Sequence, residues 1–140
     1  NKIWLYDEFE NKLKKIDEDG KLIFETADFR QLFNETITPV TILDDNRLLY
    51  LHDKHKGVFV FDYFGTLKNK IVLQDWTNFM VAGQFLFGIR KDSLIRYHPA
   101  TFSQKEMQLP VSIQEAIKIN FTATKLYALK KEGLEVYALQ

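Results

Sequence analysis

Cysteine is absent from the 140 residues of this chain. Its absence excludes disulfide bridges, thiolate metal sites and cysteine nucleophiles. An excess of either charge is missing as well, because 19 Lys and Arg residues balance 19 Asp and Glu residues. A broad nucleic-acid surface needs a basic excess on one face, so the composition argues against a nucleic-acid partner.

Long apolar runs are also missing. The longest, residues 79–89, is about half as long as a membrane span and contains Gln84, so the sequence predicts no transmembrane segment. The first residue, Asn1, already lies in a strand-like pattern, without an initiator Met or a signal segment before it. We therefore expect that the natural start was removed or that the chain is a piece of something longer.

Apolar residues are plentiful, at 46% of the chain, and aromatic residues make up 14%, with 12 Phe among them. This composition excludes a disordered chain. A chain of this length is long enough to bury a core of its own. We expect a single, partial domain over residues 1–140.

A repeat organises the sequence. Four short segments have the form apolar, aromatic, small or apolar, apolar, polar, and their aromatic residues are Trp4, Tyr50, Phe87 and Tyr127. A second strand-like segment follows each after a short polar or glycine-containing turn, and these second segments end at Ile16, Phe61, Tyr97 and Tyr137. Strand, short turn, strand is the pattern of a β-hairpin. Four hairpins at nearly regular spacing predict an internal repeat of about forty residues.

Further strand-like stretches complete each unit. They precede three hairpins at residues 40–43, 78–82 and 117–123, and follow three at residues 21–25, 67–73 and 106–109. Matching Asp-x-x-Gly turns lead into two of the last strands, at residues 17–20 and 62–65, whereas His-Pro-Ala-Thr replaces that turn at residues 98–101. Four strands repeated in this order are typical of propeller blades, because one small twisted sheet cannot cover both of its apolar faces.

We therefore predict an all-β fold, a β-propeller fragment of about 3.5 four-stranded antiparallel blades. The blades are expected at approximately residues 1–27, 39–74, 78–110 and 116–140. The eight hairpin residues named above are expected to form the structural core of the repeat, with the four aromatic residues as the packing layer between blades.

Two segments depart from the strand pattern. Asp28 is a candidate N-cap, and Phe29, Leu32 and Phe33 form an apolar helical face, so a short helical insertion is expected near residues 28–34. Residues 112–115 have the Ser-x-x-Glu form of a capping box, which predicts a second helical turn.

Three stretches of the sequence resemble known propeller repeats. They are Ile-Trp-Leu-Tyr-Asp at residues 3–7, the stretch from Gly57 to Thr66, and the stretch from Lys125 to Tyr137. The pattern resembles NHL-type and YVTN-type repeats, and it looks closer still to a Bacteroidetes propeller family of no known activity. The resemblance spans essentially the whole chain, but only the latter half of such proteins. It implies a six- or seven-bladed propeller, periplasmic or associated with the outer membrane, attached to the membrane if at all through a missing N-terminal part.

Two groups of polar residues are candidate metal sites. Acidic residues surround the first hairpin, but placing Gly20 at the sixth position of a calcium loop puts Lys15 first and Thr26 twelfth, so that motif fails. A solvated hairpin is expected instead. His52, Asp53 and His55 offer zinc ligands, but neighbouring lysines repel a cation, and a solvent-exposed turn is the preferred interpretation.

No catalytic constellation is recognisable. Asp7 and Asp53 occupy the same repeat position, but Arg90 and Lys130 stand there in the other two repeats, so a ring of metal-binding acids is not maintained. Nucleophile-elbow, P-loop and dinucleotide-binding motifs are absent from the sequence. We expect no catalytic residues, no metal site and no cofactor.

Three aromatic residues outside the hairpins are candidates for a contact patch: Trp76, Phe79 and Phe102. Burial between blades explains them equally well. The leading functional hypothesis is a non-enzymatic propeller that acts as a protein-interaction scaffold in a bacterial cell envelope. One alternative is a lactonase- or quinoprotein-like enzyme whose site lies mainly in other blades, and another is a carbohydrate-binding module that uses exposed aromatic residues such as Trp76.

Overall fold

The computed structural model describes residues 2–139, and antiparallel strands form most of this part of the chain. The strands are β1 (Ile3–Asp7), β2 (Lys12–Ile16), β3 (Leu22–Glu25), β4 (Thr41–Asp44), β5 (Leu48–Asp53), β6 (Gly57–Asp62), β7 (Leu67–Ile71), β8 (Thr77–Ala82), β9 (Phe85–Arg90), β10 (Ser93–His98), β11 (Ser103–Gln108), β12 (Lys118–Phe121), β13 (Lys125–Lys130) and β14 (Gly133–Ala138). The helices are α1 (Phe29–Phe33) and α2 (Val111–Gln114).

Four sheets follow one another along the chain, and in each a strand pairs with its neighbours in sequence. Sheet A contains β1–β3, sheet B β4–β7, sheet C β8–β11 and sheet D β12–β14. Every pairing is antiparallel. The predicted all-β fold with repeated small sheets is confirmed.

The predicted Asp-x-x-Gly turns connect β2 to β3 and β6 to β7. The Asp17 carboxylate accepts hydrogen bonds from the backbone N–H groups of residues 19 and 21, at 3.1 and 2.8 Å. The Asp62 carboxylate does the same for residues 64 and 66, at 2.9 Å each. Gly20 and Gly65 both have φ of 79°, a conformation that glycine adopts without steric cost. Both acids therefore have a structural role.

The chain divides into two compact units, one ending at Gln74 and the other beginning at Asp75. In the first unit, sheets A and B and helix α1 share an apolar cluster of Leu13, Phe29, Ile37, Leu49, Leu51, Phe59 and Phe61. The predicted helical insertion is confirmed, and the Asp28 carboxylate caps it by accepting a hydrogen bond from the backbone N–H of Arg30 at 2.8 Å. Phe29 anchors α1, because its ring stacks on Phe61 with centroids 5.3 Å apart.

In the second unit, sheets C and D and helix α2 share a cluster of Phe87, Ile89, Leu94, Leu109, Ile113, Phe121, Leu126 and Ala128. The Phe87 and Phe121 rings stack across it at 5.6 Å. The second helical turn is present, but the predicted capping box is wrong. Pro110 occupies the cap position, and the Ser112 hydroxyl instead lies 3.1 Å from the hydroxyl of Tyr137.

Between residues 2 and 139, neither helix is long and apolar enough to span a bilayer.

Candidate interaction surface

The four aromatic residues of the repeat lie on strands β1, β5, β9 and β13. Trp4 and Phe87 point toward the following sheet of their own unit, where Trp4 lies 6.4 Å from the ring of Tyr63 and Phe87 stacks on Phe121. In sheet B, Leu49 and Leu51 belong to the cluster shared with sheet A, so Tyr50 between them lies on the opposite face.

Tyr127 is placed in the same way in the second unit. Leu126 and Ala128 on either side of it belong to the cluster shared with sheet C, and Tyr127 lies on the other face of β13. Tyr50 and Phe87 are buried, whereas Trp4 and Tyr127 are partly exposed. The repeated aromatic residue therefore lies on the equivalent face of all four sheets. In sheets A and C this face points toward the next sheet of the unit, and in sheets B and D it points away from the previous sheet of the unit.

The second set of repeat residues is buried to different degrees. Phe61 is fully buried and Tyr97 is 9% exposed. Ile16 and Tyr137 are partly exposed, and both lie in the three-stranded sheets.

The contact-patch interpretation is corrected for Trp76 and Phe79. These side chains are only 1% and 4% exposed, so a partner or a sugar ring has no access to them. The Trp76 ring covers Gly88, where an added Cβ would stand 2.1 Å from ring atom Cε3. A glycine within a strand often marks such a close approach, and Gly88 was the sequence signal for the burial of Trp76.

Phe102 is the member of this trio that stays at the surface, with 72% of its side chain exposed. It lies in the turn between β10 and β11, the third and fourth strands of sheet C. Its φ of 56° falls in the left-handed region, which is a strained conformation for a bulky residue. Neither packing nor backbone geometry therefore explains a phenylalanine at this position.

Two further phenylalanines at turns were missed by the sequence analysis. Phe64 is 83% exposed in the turn between β6 and β7, which is again the turn between the third and fourth strands of a four-stranded sheet. Phe9 is 92% exposed in the turn between β1 and β2. The available signal was a large apolar residue inside a turn, where no strand face could bury it.

Three acidic residues of sheet A form ion pairs with lysines. Lys14 donates to Asp7 at 2.7 Å and also to Glu10, and Lys12 donates to Glu25 at 2.7 Å. The hydrogen bond from Lys14 lowers the pKa of the Asp7 carboxyl, and the hydrogen bond from Lys12 lowers that of Glu25. Three carboxylates and two ammonium groups thus form one salt-bridge network on sheet A, with one net negative charge.

The interpretation of His52 and Asp53 as a solvent-exposed turn is wrong. Both are the last residues of β5, and they are 1% and 4% exposed. The Asp53 carboxylate accepts backbone hydrogen bonds from Thr38 at 2.7 Å, His55 at 2.9 Å and Lys56 at 3.0 Å. Burial lowers the pKa of His52. Asp53 therefore fixes a turn and a connecting segment.

Within residues 2–139, no three His, Asp or Glu side chains are grouped so that they could hold a metal ion. The repeat position of Asp7 and Asp53 is structural in both cases, since each carboxylate accepts hydrogen bonds from the backbone of the turn that follows it. Lys130, at the same position in sheet D, pairs with Glu135 at 2.8 Å. The most distinctive surface feature left is the set of exposed turn phenylalanines.

Comparisons with known proteins identify a fold and no family. No protein-family model matches the chain, and no curated protein sequence matches it. Among solved structures, virginiamycin B lyase from Staphylococcus aureus matches with a TM-score of 0.60 and 12% identity over 100% of this chain and 52% of the lyase chain. The N-terminal domain of Nup159 matches with a TM-score of 0.59 and 10% identity over 94% of this chain and 36% of its own.

Nup159 also appears in an S. cerevisiae complex of a Dbp5 variant with Nup159, a Gle1 variant, IP6 and ADP, matched with a TM-score of 0.59 and 9% identity over 93% of this chain and 36% of the matched chain. The chain thus spans about half of the lyase chain and about a third of the Nup159 chains. At these identities the likeness shows the fold alone. Small antiparallel sheets and propeller-like neighbours establish the fold class as that of a β-propeller fragment.

Proposed function

We propose that this chain is a non-enzymatic β-propeller scaffold that binds protein partners through phenylalanines at its turns. The observation that carries the proposal is the repeated exposure of a phenylalanine in the turn between the third and fourth strands of both four-stranded sheets, at Phe64 and Phe102. Exposed aromatic side chains are costly to hydrate and are enriched at the centres of protein interfaces.

The backbone at Phe102 supports the same proposal. A side chain in the left-handed region costs of order 1 kcal/mol or more, and such strain is found preferentially at functional sites. A glycine or asparagine would relieve it at φ of 56°. The presence of a phenylalanine at this position is explained if its ring contacts a partner.

The polar residues support a binding role rather than catalysis. Acids at the repeated positions accept hydrogen bonds from turn backbone, and three carboxylates of sheet A form salt bridges with Lys12 and Lys14. Among the solved structures with a similar fold, one is a complex in which a Dbp5 variant is bound to Nup159. We extend only the general property, protein binding by a propeller, to this chain.

Location and family are part of the proposal. The motifs at residues 3–7, 57–66 and 125–137 resemble those of the Bacteroidetes family with NHL- and YVTN-like repeats. On that basis we propose membership of this family and a place in the bacterial cell envelope. Fractionation of source cells into periplasm, membranes and cytoplasm tests the location, and recovery only from the cytoplasm would contradict it.

The binding role is tested with paired variants. Phe64→Ser/Phe102→Ser removes both rings, and Val72→Ser/Val111→Ser is the matched control, because these valines are 66% and 74% exposed but lie outside the turns. Each protein is immobilised, and proteins retained from an extract of the source cells are quantified by mass spectrometry. We expect one set of proteins to be retained by the wild type and the valine control and to fall at least tenfold with the phenylalanine variant.

Equal retention by all three proteins would overturn the role of the two rings. Circular dichroism checks that both variants remain folded, which is expected because the replaced side chains are exposed. A stoichiometric metal ion in the purified protein would favour the lactonase-like enzyme instead.

A further inference from the structure

The last sheet has one buried and one exposed apolar face. On β13 and β14, the residue pairs Leu129–Leu134 and Tyr127–Val136 lie directly opposite each other and so share a face. Leu129, Leu134 and Val136 are 44%, 60% and 51% exposed. We call this surface the outer face of sheet D. The other face of the same strands, with Leu126 and Ala128, is buried against sheet C.

The first sheet has a comparable exposed face. Ile3 pairs with Ile16, and Ile16 pairs with Leu22, so these three side chains share one face, which we call the outer face of sheet A. Ile3 and Leu22 are 50% and 48% exposed. The opposite face of sheet A carries Trp4 and Leu13 and packs within the cluster shared with sheet B.

The charges of the two outer faces are complementary. On the outer face of sheet D, Lys118 lies opposite Leu129 and Lys125 opposite Ala138, and both lysines are exposed. No carboxylate belongs to the described residues of that face. The outer face of sheet A carries the network of Asp7, Glu10, Glu25, Lys12 and Lys14 beside its aliphatic row. Three carboxylates and two lysines give the outer face of sheet A one net negative charge, whereas the outer face of sheet D carries two positive charges.

Packing within the chain shows which surfaces fit each other. In each unit, one face of the first sheet carries the repeated aromatic residue, Trp4 or Phe87. This face packs on the face of the second sheet that does not carry the repeated aromatic residue. The outer face of sheet D carries the repeated aromatic residue Tyr127. The outer face of sheet A is a face without the repeated aromatic residue. Among the described residues, it is the one exposed face of this kind on the first or the last sheet.

We propose that the outer face of sheet D in one copy of this chain docks on the outer face of sheet A in a second copy. The contact repeats the sheet-on-sheet packing already present in each unit and buries the aliphatic rows of both faces. It also places Lys118 and Lys125 next to the salt-bridge network of sheet A. It is a head-to-tail contact, since two different surfaces meet, and it leaves one face of each kind available for further copies. The turn phenylalanines take no part, so this inference stands apart from the proposed function.

The test uses the purified 140-residue chain in sedimentation velocity and light scattering. The wild type should show a concentration-dependent mass at or above twice the 16.5 kDa of one chain. Variants that place lysines on sheet D (Leu134→Lys/Val136→Lys) or on sheet A (Ile3→Lys/Leu22→Lys) should each be monomeric. The control Val40→Lys/Val72→Lys, at valines 65% and 66% exposed outside both faces, should associate like the wild type.

Mixing the two monomeric variants is the decisive step. Each retains one intact face, so an equimolar mixture should form a heterodimer of one sheet-A variant and one sheet-D variant and stop there. A mixture that stays monomeric would overturn the head-to-tail contact, as would a wild type that is monomeric at every concentration measured. If a lysine variant is unfolded by circular dichroism, the corresponding serine pair replaces it with the same expectation.

Two further variants distinguish the sheet faces from the turns as the place where copies meet. Lys118→Glu/Lys125→Glu should weaken association at least tenfold at low salt, and an unchanged association would overturn the assigned charge contact. Phe64→Ser/Phe102→Ser should associate like the wild type. Loss of association in that variant would show that the turns, and not the sheet faces, hold the copies together.

Discussion

Gly88→Ala tests the close contact that buries Trp76. Gly88 lies in the middle of β9, and an added Cβ would stand 2.1 Å from Cε3, 2.7 Å from Cδ2 and 3.0 Å from Cζ3 of the Trp76 ring. Carbon atoms in contact normally lie about 3.5–4.0 Å apart. The ring is only 1% exposed, so it cannot move aside without displacing its own neighbours. Overpacking of this kind costs about 1–3 kcal/mol of the free energy of unfolding.

The assay is urea unfolding followed by tryptophan fluorescence. The chain has two tryptophans, one in each compact unit, so in a Trp4→Phe background the signal reports on Trp76 alone. In that background we expect Gly88→Ala to lower the unfolding midpoint and to shift the emission of the native state, because the ring must be displaced.

A double-mutant cycle separates the clash from any effect of alanine on the strand. In a Trp76→Leu background the space above Gly88 is no longer filled by a ring, so Gly88→Ala should cost much less there, as measured by circular dichroism. Contacting residues are expected to show coupling of this kind. The same loss in both backgrounds, or an alanine variant as stable as the wild type, would refute the close contact.

Two other predictions concern a strained turn and a buried histidine. Phe102→Asn should raise the free energy of unfolding by about 0.5–1 kcal/mol, because asparagine tolerates the left-handed conformation. The same variant should retain less of the partner proteins. A variant that is less stable than the wild type in urea unfolding would contradict the assigned strain. The wild type should lose stability as the pH falls below about 6.5, because burial lowers the pKa of His52 and the unfolded chain therefore takes up the proton first. His52→Leu should be less sensitive to pH in urea unfolding at about pH 7 and 5.5, and an equal loss in both proteins would contradict this assignment.

The strands were predictable because each hairpin combines an apolar segment, a turn and a second apolar segment. The prediction for β6 began at Val58 and the strand begins at Gly57, a shift of one residue. The β11 prediction was poorer. It covered residues 106–109, whereas the strand runs from Ser103 to Gln108. Most of this strand is exposed and polar, so no alternation of apolar residues marked where it begins.

The candidate surface was less predictable, because exposure depends on neighbours that a single segment does not reveal. Trp76 lies just before β8 and has the local sequence of a loop, yet its ring packs directly against Gly88 of β9. His52 looked like part of a polar turn, but β5 extends to Asp53 and its end is buried. In both cases tertiary packing overrode the local pattern.

Pairing between consecutive strands also has a consequence for how such a chain tolerates change in length. Each ladder is completed within its own stretch of sequence, so a segment added between two sheets separates no paired strands. Helix α1 joins sheet A to sheet B and helix α2 joins sheet C to sheet D, and each adds an apolar side chain to a cluster that two sheets already share. Whole sheets can be duplicated or lost by the same logic, because the chain need not be rethreaded.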